Sequence, residues 1–482
     1  MKKMPAKLKI IWQHERWGVF EKLDYLWRKH HKMRIEIVKG QTLWEALEKE
    51  NIVIDRPCGG NGICGGCAVF VEGVGNVASC RFSKPGIYEV ELPEKFTFDI
   101  VSSGKENEDF LQSQIPAGKV AIDIGTTTVA LMAFTGTGVV TKGFINPQRE
   151  FGSDVANRIN AANEGLLEQM QQSIIEQINK EFAALDFIPE EIIVSANTTM
   201  QHILKGMDCS GLGKAPFTPA DISLIKYKEE RISGGNVNVT LLPGISAFIG
   251  ADIVSGLYYL KILDKEAPQL FIDLGTNGEM ALGDKTGIIV TSTAAGPAFE
   301  GSRLALKVHA AGVIKAINYM LKNNIIDEYG TLIDKYFDTG YPVTAEICGS
   351  DEPFGIIYFT QDDIRELQMA KAAIRAGIEM MLKEKQINLI DVSHIYLAGG
   401  MGKFIDPADA MAIGLLPEGA KAIDAIGNSS LHGACDYLKE PEKAADYMQK
   451  IVKSAKEIVL ANQPGFEEMY INYINFQGQV DK

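Results

Sequence analysis

Residues 119–134 read KVAIDIGTTTVALMAF, and residues 269–283 read QLFIDLGTNGEMALG. In each segment an apolar run leads to an aspartate, passes through a glycine–threonine turn and continues into a second apolar run. Apolar runs on both sides of a tight turn predict two strands joined as a hairpin. Because the same hairpin occurs twice, the sequence predicts two related lobes that face a cleft.

The turns of both hairpins carry residue types that bind phosphate. A glycine–threonine turn offers backbone N–H groups and hydroxyls to a phosphate chain, and a carboxylate at the strand end can orient a metal-bound water. The candidate residues are Asp123, Gly125, Thr126 and Thr127 in the first hairpin and Asp273, Gly275, Thr276, Asn277 and Gly278 in the second. A single turn of this kind is equally compatible with a purely structural hairpin.

A third glycine-rich segment supports the nucleotide interpretation. Residues 397–402 read LAGGMG, and there Gly399 and Gly400 would let the backbone pass under a flat adenine. Two phosphate turns together with this segment favour nucleotide binding over two structural turns.

Strands alternate with helices from Lys119 onward, which is typical of an α/β protein. We expect an amphipathic helix over residues 165–185, a strand, turn and helix over 190–204, and a buried strand at 394–404 that runs through glycines into a helix. Helical spacing predicts one apolar face over residues 363–382, formed by Ile364, Leu367, Ile374, Ile378 and Met381.

Four of the seven cysteines lie within residues 58–80. Cys58, Cys64 and Cys67 follow a C-x5-C-x2-C spacing among glycines, and Cys80 follows later in the chain. Three thiolates on one glycine-rich loop and a fourth arriving later is the plant-type arrangement of a [2Fe–2S] cluster. Structural zinc is the alternative, but zinc sites usually use two CxxC-type pairs and only one is present. The isolated Cys209, Cys348 and Cys435 are expected to be small buried side chains.

The sequence around the cysteine loop predicts a small separate domain. Residues 33–39 alternate like a half-buried strand, 42–50 predict a short helix that starts at Thr42, and strands are expected in AVFVEG and YEVELP. This order resembles a β-grasp ferredoxin domain over residues 33–95. We therefore expect a basic N-terminal extension at 1–32, the ferredoxin-type domain at 33–95, a linker at 96–117 and a two-lobed core at 118–482.

Charge and hydropathy exclude several functions. The net charge of −14 argues against nucleic acid as the main partner, since phosphate backbones require a basic face. No apolar run is long enough for a transmembrane helix, and the N-terminus lacks the apolar core of a signal peptide, so we expect a cytoplasmic protein. The first residues are nevertheless basic and rich in tryptophan, with Trp12, Trp17 and Trp27 among lysines and arginines. This segment either packs on the ferredoxin domain or acts as a docking arm for an acidic surface.

Several segments are similar to the reductive activators of corrinoid-dependent enzymes. These segments are DIGTTTVA, NPQREFGSDVANRIN, NTTMQHIL, LPGISAFIGADI, DLGTNGEM, TAAGPAFEG, QDDIRELQMAKAAI and GNSSLHGA, so the resemblance spans about residues 33–435. It implies an N-terminal [2Fe–2S] domain joined to an actin/sugar-kinase/Hsp70-type ATPase core. It also implies ATP with Mg²⁺ as cofactor, a corrinoid methyl-transfer protein and an upstream low-potential electron donor as partners, and a homodimer as one form of assembly.

The resemblance carries over specific roles. It implies that Cys58, Cys64, Cys67 and Cys80 are the cluster ligands, that the two hairpins bind phosphates, and that Gly399 and Gly400 contact adenosine. Asp154 and Arg158, spaced as neighbours on a helix, either form a surface ion pair or orient the nucleotide, metal or corrinoid. Glu300 and Asp252 face the same choice between a structural and a functional role.

Two other functions fit the same motifs. The chain could be an ATP-driven electron donor to another low-potential enzyme, similar to the activators of acyl-CoA dehydratases, although those carry cysteines inside the ATPase core. It could also be a non-catalytic binding module in which the state of the cluster gates a nucleotide-dependent clamp. The expected function is ATP-dependent, one-electron reduction of a Co(II) corrinoid protein to Co(I).

Overall fold

A computed structural model describes residues 32–50, 52, 54, 67–91, 114–152, 154–233, 235–275, 277–294, 304–350, 356–402 and 404–476. The chain divides into two compact units, Met1–Phe96 and Thr97–Lys482. The N-terminal extension, most of the predicted linker, and the site residues Cys58, Cys64, Thr276 and Glu300 lie outside the described residues.

The first unit contains a four-stranded antiparallel sheet in the order β1-β4-β2-β3. Its strands are β1 (Lys32–Ile37), β2 (Ala68–Val71), β3 (Gly75–Ala78) and β4 (Gly86–Glu91). Ile35 and Ile37 are buried while Arg34 and Glu36 are exposed, as the alternating pattern of the sequence predicts.

Helix α1 (Leu43–Lys49) supplies the other half of the core of this unit. Thr42 caps it, with the Thr42 side chain accepting from the Glu45 N–H and the Glu45 carboxylate accepting from the Thr42 N–H, a reciprocal capping box. The buried indole of Trp44 donates from Nε1 to the Ile54 carbonyl at 2.7 Å. The predicted helix start is therefore confirmed.

The second unit is built on two six-stranded sheets. The first sheet runs in the order β7-β6-β5-β8-β10-β9 and the second in the order β17-β16-β11-β12-β13-β18. The first sheet consists of β5 (Lys119–Ile124), β6 (Thr128–Thr135), β7 (Gly138–Ile145), β8 (Glu191–Ala196), β9 (Ile225–Glu229) and β10 (Val237–Leu241). The second consists of β11 (Gln269–Leu274), β12 (Gly278–Asp284), β13 (Gly287–Thr293), β16 (His394–Ala398), β17 (Ile423–Gly427) and β18 (Ala455–Glu457).

The two sheets repeat one plan. Each sheet contains three consecutive antiparallel strands, β5-β6-β7 in the first and β11-β12-β13 in the second. The first strand of each set also pairs, along its other edge, with a parallel strand: β5 with β8, and β11 with β16. In both sheets a predicted aspartate is the penultimate residue of the strand that precedes the turn, Asp123 in β5 and Asp273 in β11. The duplicated, two-lobed α/β core predicted from the repeated hairpin is confirmed.

The helices of this unit cover the sheets and connect them. They are α2 (Val155–Ala161), α3 (Leu167–Ala184), α4 (Thr198–Lys205), α5 (Ala251–Tyr259), α6 (Ala305–Lys322), α7 (Asp334–Phe337), α8 (Ala345–Cys348), α9 (Gln361–Lys385), α10 (Gly399–Gly402), α11 (Pro407–Ala412), α12 (Ser429–Lys439), α13 (Pro441–Ser454) and α14 (Phe466–Asn472). A small antiparallel pair, β14 (Tyr341–Val343) and β15 (Ile357–Phe359), completes the second lobe.

Helices α5 and α12 lie in the apolar core that both large sheets share. That core combines side chains of the first sheet, such as Ala121 and Met132, with Phe271 and Ala281 of the second. The two helices pack without room for a side chain between them, because a Cβ on Gly433 would lie 2.1 Å from the Ser255 carbonyl oxygen. This close crossing joins the two lobes.

The long helix predicted over residues 363–382 is α9, which is longer at both ends. All five residues of its predicted apolar face are buried. Thr360 and Asp363 form a capping box at its start, and this box extends the helix toward the N-terminus beyond the predicted limit. Among the described residues no helix combines the length and apolarity needed to cross a membrane.

Candidate functional site

The first hairpin turn is tight and is held from several sides. The Gly125 N–H donates to the Thr128 carbonyl at 2.9 Å, and a Cβ on Gly125 would lie 2.9 Å from the same oxygen. Asn146 donates from its side chain to the Gly125 carbonyl at 2.8 Å and from its backbone to the Thr127 carbonyl at 2.9 Å. Asn197 donates from Nδ2 to the Thr126 hydroxyl at 3.0 Å. Groups far apart in the chain therefore fix the predicted phosphate turn.

Arg158 contributes a charged hydrogen-bond donor to the same turn. Its side chain is fully buried, and it donates from Nη2 to the Thr126 carbonyl at 2.6 Å and from Nε to the Gly152 carbonyl at 3.0 Å. Burial, and then the nearby positive charge of Arg149, lower the pKa of the Arg158 guanidinium to about 9. The guanidinium thus acts on the backbone of the phosphate turn.

Asp154 lies at the start of the same helix. It is the N-cap of α2, and its carboxylate accepts from the Asn157 N–H at 2.8 Å and from the Asn157 side-chain amide at 2.6 Å. An N-cap carboxylate satisfies backbone donors of the first helical turn. This contact gives Asp154 a structural role at the base of the loop that carries Gly152, whatever further role it has.

The second hairpin turn is closed by the Gly275 N–H, which donates to the Asn277 carbonyl at 3.0 Å. The predicted adenosine segment reaches it directly. Gly399 has a φ of +87°, and a Cβ there would lie 2.6 Å from Oδ1 of Asp273 and from the Leu274 carbonyl oxygen. Glycine is therefore required at this position both by the backbone conformation and by the close approach. Gly400 follows it in the first turn of α10.

Asp123 is held by the first turn of helix α12. Asn428 donates from Nδ2 to one carboxylate oxygen of Asp123 at 2.8 Å, and the Ser430 hydroxyl donates to the other at 2.7 Å. The Ser430 oxygen also lies 2.8 Å from the hydroxyl of Ser195, which is the register partner of Asp123 in the first sheet.

Two further carboxylates lie beside the predicted aspartates. Burial, and then the charge of Asp123, raise the pKa of Asp252 in the first turn of α5 to about 7. Burial, followed by the charges of Asp252 and Asp273, raises the pKa of Glu279 in β12 well above its usual range. The four carboxylates therefore form a connected acidic group that runs from the first hairpin to the second.

The sequence left Asp252 between a structural and a functional role, and it did not single out Glu279. The sequence feature that could have identified Glu279 is its position in GEMALG, where it is the one charged residue. All residues of the corresponding strand β12 are buried. A carboxylate buried in a strand indicates a partner or a function, since burying an isolated charge is costly.

A cavity of about 380 Å³ opens between the lobes next to this group. On the side of the first lobe it is lined by Asn197, Thr198 and Phe248, and on the side of the second by Asn277 and Glu279. The Ser246 hydroxyl and the Glu457 carboxylate lie 2.9 Å apart and bridge the two lobes beside it. The cavity combines polar groups with apolar walls, the composition typical of ligand sites.

In the first unit, two of the four predicted cluster ligands converge. Cys67 and Cys80 are both buried, and their Sγ atoms lie 3.2 Å apart. This separation is longer than the ~2.05 Å of a disulfide, so the two cysteines are not disulfide-bonded to each other. Two thiolates on one tetrahedral ion, at metal–sulfur distances of about 2.3 Å, lie about 3.8 Å apart, so a small outward movement of the two sulfur atoms would place both on one ion. Of the four predicted ligands, the two that the structure describes therefore place thiol groups close together, as the predicted cluster requires.

The other three cysteines belong to the core of the second unit, as the sequence predicts. Burial raises the pKa of the Cys209 thiol to about 11 and that of the Cys348 thiol to about 12. Burial also raises the pKa of Cys435. These thiols stay protonated at neutral pH and are poor metal ligands or nucleophiles.

Two family models match the second unit along nearly its whole length. Residues 119–265 match the model described as the RACo middle region, and residues 267–311 and 305–481 match the C-terminal domain of RACo, the ASKHA domain. The structure of a reductive activator for corrinoid, iron-sulfur protein aligns with a TM-score of 0.65 at 23% identity, covering 91% of this chain and 96% of that chain. The structural match shows a shared fold.

Two characterised proteins match in sequence. The corrinoid activation enzyme RamQ of Eubacterium limosum is 29% identical over 445 residues, which cover 79% of this chain and 74% of RamQ. The Co(II) methylated amine-specific corrinoid protein reductase of Methanosarcina barkeri is 28% identical over 285 residues, which span 51% of this chain and 52% of the reductase.

Proposed function

The chain belongs to the RACo family, and we propose that it is a reductive activator that reduces a Co(II) corrinoid protein to the Co(I) form in an ATP-dependent, one-electron step. Reductive action on corrinoid proteins is what the names of its two sequence relatives describe. The observation that carries the nucleotide part is the convergence of both glycine–threonine turns on one group of four carboxylates.

The nucleotide would lie across the second unit. We assign its phosphates to the turns at 125–127 and 275–278 and its adenosine to Gly399 and Gly400, which approach the second turn from the end of β16. Asp123 and Asp273 are the proposed catalytic residues, because each carboxylate lies where its strand meets the turn. Since phosphates and Mg²⁺ carry opposite charges, N–H groups of the turns and carboxylates between the turns are the complementary partners.

The electron-transfer part rests on the first unit. A [2Fe–2S] cluster on Cys58, Cys64, Cys67 and Cys80 would supply one electron at about −400 mV. Cys67 and Cys80 already hold their thiols close together and away from water. Their burial lowers the dielectric constant around the ligands, which is one of the ways in which a protein sets a reduction potential.

The resemblance implies a cobalt couple at a still lower potential than the cluster, so the transfer would be uphill and would need a nucleotide-dependent core. A one-electron transfer loses about tenfold in its equilibrium constant for each 59 mV of deficit. The core can offset this by binding the Co(II) corrinoid in a geometry that raises its potential, which requires that the bound Co(I) state be stabilised more than the bound Co(II) state. Nucleotide would then be used to release the product state. Helices α5 and α12, which join the two lobes, would transmit a nucleotide-dependent change from one lobe to the other.

The proposal is tested with the full chain, iron and sulfide reconstituted, a Co(II) corrinoid protein and a low-potential reductant. We expect Co(I) formation to require ATP, and Asp273→Asn to reduce its rate at least about tenfold while iron content stays unchanged. Asp446→Asn, an exposed aspartate on α13, serves as the matched control. ATP-independent reduction at the same rate by wild type and Asp273→Asn would show that the turns are structural. Failure to reduce the corrinoid protein, with turnover of another acceptor, would favour a different electron-transfer partner.

A further inference from the structure

The Asp123 carboxylate is oriented by residues that lie more than three hundred positions later in the chain. Its two oxygens accept from different donors, Asn428 Nδ2 at 2.8 Å and Ser430 Oγ at 2.7 Å. Two donors on separate oxygens fix the rotation of the carboxylate about its last bond, which a single donor would leave free. We propose that Asn428 and Ser430 are positioning residues for Asp123, so that nucleotide turnover depends on the start of helix α12.

The direction of each hydrogen bond follows from chemistry. An ionised carboxylate only accepts, so the single proton of the Ser430 hydroxyl is directed at Asp123. Ser195 Oγ, 2.8 Å away, is a second acceptor for the same Ser430 hydroxyl, and the charged carboxylate is the stronger of the two acceptors. The Ser430 hydroxyl therefore lies between the Asp123 carboxylate and Ser195. Ser195 and Ser430 are both buried, which strengthens these hydrogen bonds relative to those made in water.

The orientation of Asn428 is also determined. Its side-chain oxygen accepts from the Leu431 N–H at 2.8 Å, as the N-cap of α12. With the oxygen used in this way, the amide nitrogen is the atom that faces Asp123, and rotating the amide by half a turn would break both contacts. The cap of the helix and the contact to Asp123 therefore depend on one side chain.

Helix α12 cannot shift these donors freely. The Ser255 hydroxyl of α5 donates to the Ser430 carbonyl at 2.8 Å, and Gly433 packs so closely on α5 that a Cβ would collide with the Ser255 carbonyl oxygen. Helix α5 also carries Asp252, whose charge interacts with that of Asp123. The pair of helices thus positions one carboxylate of the site directly and another through hydrogen bonds.

This inference rests on the proposed nucleotide chemistry, and the tests separate the two. In steady-state ATP turnover by the full chain, we expect Ser430→Ala to lower kcat about tenfold, the effect of losing one hydrogen bond to a charged group, with KM changed less than about twofold. Ser430→Thr retains a hydroxyl and should recover most of the loss. Ser429→Ala is the matched control, because the buried Ser429 hydroxyl has no hydrogen-bond partner among the described residues.

A second measurement needs no nucleotide. In thermal unfolding, Ser430→Ala and Asp123→Asn should be non-additive, since both break the same contact, whereas Ser429→Ala and Asp123→Asn should be additive. Additive effects of Ser430→Ala and Asp123→Asn, or a kcat for Ser430→Ala equal to that for Ser429→Ala, would overturn the positioning role. A wild-type chain without ATP turnover would overturn the proposed function and this inference with it.

Discussion

At the scale of single residues, the main feature of the site is a group of four carboxylates, and burying uncompensated charges of one sign is costly. Asp123, Asp252, Asp273 and Glu279 lie close enough to alter one another's ionisation. Like charges at short distance in a buried site raise the pKa of at least one member of the group. In this protein the raised pKa values are those of Asp252 and Glu279, while the hydrogen-bond donors of α12 point at Asp123.

Asp252 makes the stability of the folded protein fall as the pH rises from about 4 to about 7. Its folded-state pKa of about 7 lies above the 3.8 of an ordinary aspartate. Its contribution to the free energy of unfolding is therefore complete below about pH 4 and is lost as the pH rises through 7. We expect Asp252→Asn to stabilise the chain relative to wild type by on the order of 2–4 kcal/mol at about pH 8.5, and by less at about pH 5.5.

This prediction is checked by denaturant unfolding of both proteins at the two pH values. Asp446→Asn, an exposed position on α13, should change the free energy of unfolding little at either pH. A stabilisation by Asp252→Asn that is the same at both pH values would contradict the raised pKa. A loss of stability at alkaline pH would show that the charged carboxylate is needed for the fold.

At the scale of secondary-structure elements, the crossing of α5 and α12 decides how the lobes are joined. Gly433 faces the backbone of α5, and a Cβ there would lie 2.1 Å from the Ser255 carbonyl oxygen and 2.5 Å from its hydroxyl oxygen. No real Cβ approaches backbone so closely, so the helices would have to move apart. Since the apolar core on both sides of the helices is shared by the two sheets, such a movement affects both lobes.

We therefore expect Gly433→Ala to lower the free energy of unfolding by about 3 kcal/mol, the upper range for overpacking a core. The Ser430–Asp123 contact should weaken as well, because α12 carries Ser430. Gly136→Ala is the control, since a Cβ at this turn between β6 and β7 meets nothing within 4 Å. Thermal unfolding of the two variants measures the difference, and equal midpoints would mean that the helices have more freedom than their contacts indicate.

At the scale of the whole molecule, the chain divides into two compact units with separate cores. Cys67 and Cys80 pack in the core of the first unit, while Cys348 packs in the core of the second. If the proposed cluster lies in the first unit, loss of a cysteine should change the iron content through the first unit and the stability through the second.

We expect Cys67→Ser to remove most of the iron bound after reconstitution and to leave the unfolding midpoint of the second unit unchanged. Cys348→Ala should do the opposite, retaining the iron and destabilising the second unit by about 1 kcal/mol through the small cavity that it creates. Iron analysis and calorimetry of both variants provide the comparison. Zinc in place of iron in the wild type, or loss of iron in Cys348→Ala, would contradict the assignment of the cluster to the first unit.

Much of this architecture is local in the sequence and could be predicted from it. A hairpin turn, a capping box or an apolar helical face is encoded by residues within a few positions of one another, as in Thr42 and Glu45 or along α9. The repeat of one hairpin also predicted the duplicated sheets, because similar sequences satisfy the same backbone hydrogen bonds. Both aspartates and the cysteine motif were recognisable for the same reason.

The functional assignments that needed the tertiary structure involve contacts between distant segments. Arg158 could be recognised as a possible partner of Asp154 at helix spacing, but its contact with the Thr126 carbonyl depends on how α2 packs on the first sheet. The contacts of Asn428 and Ser430 with Asp123 exist only because α12 returns to the end of β5. Burial and neighbouring charge set the ionisation of Asp252 and Glu279, and both are properties of the folded chain. The sequence by itself predicted which groups bind phosphate and metal, because those predictions depend on residue type and local spacing. The tertiary structure decided which of these groups are oriented together, because their contacts join segments that are distant in the chain.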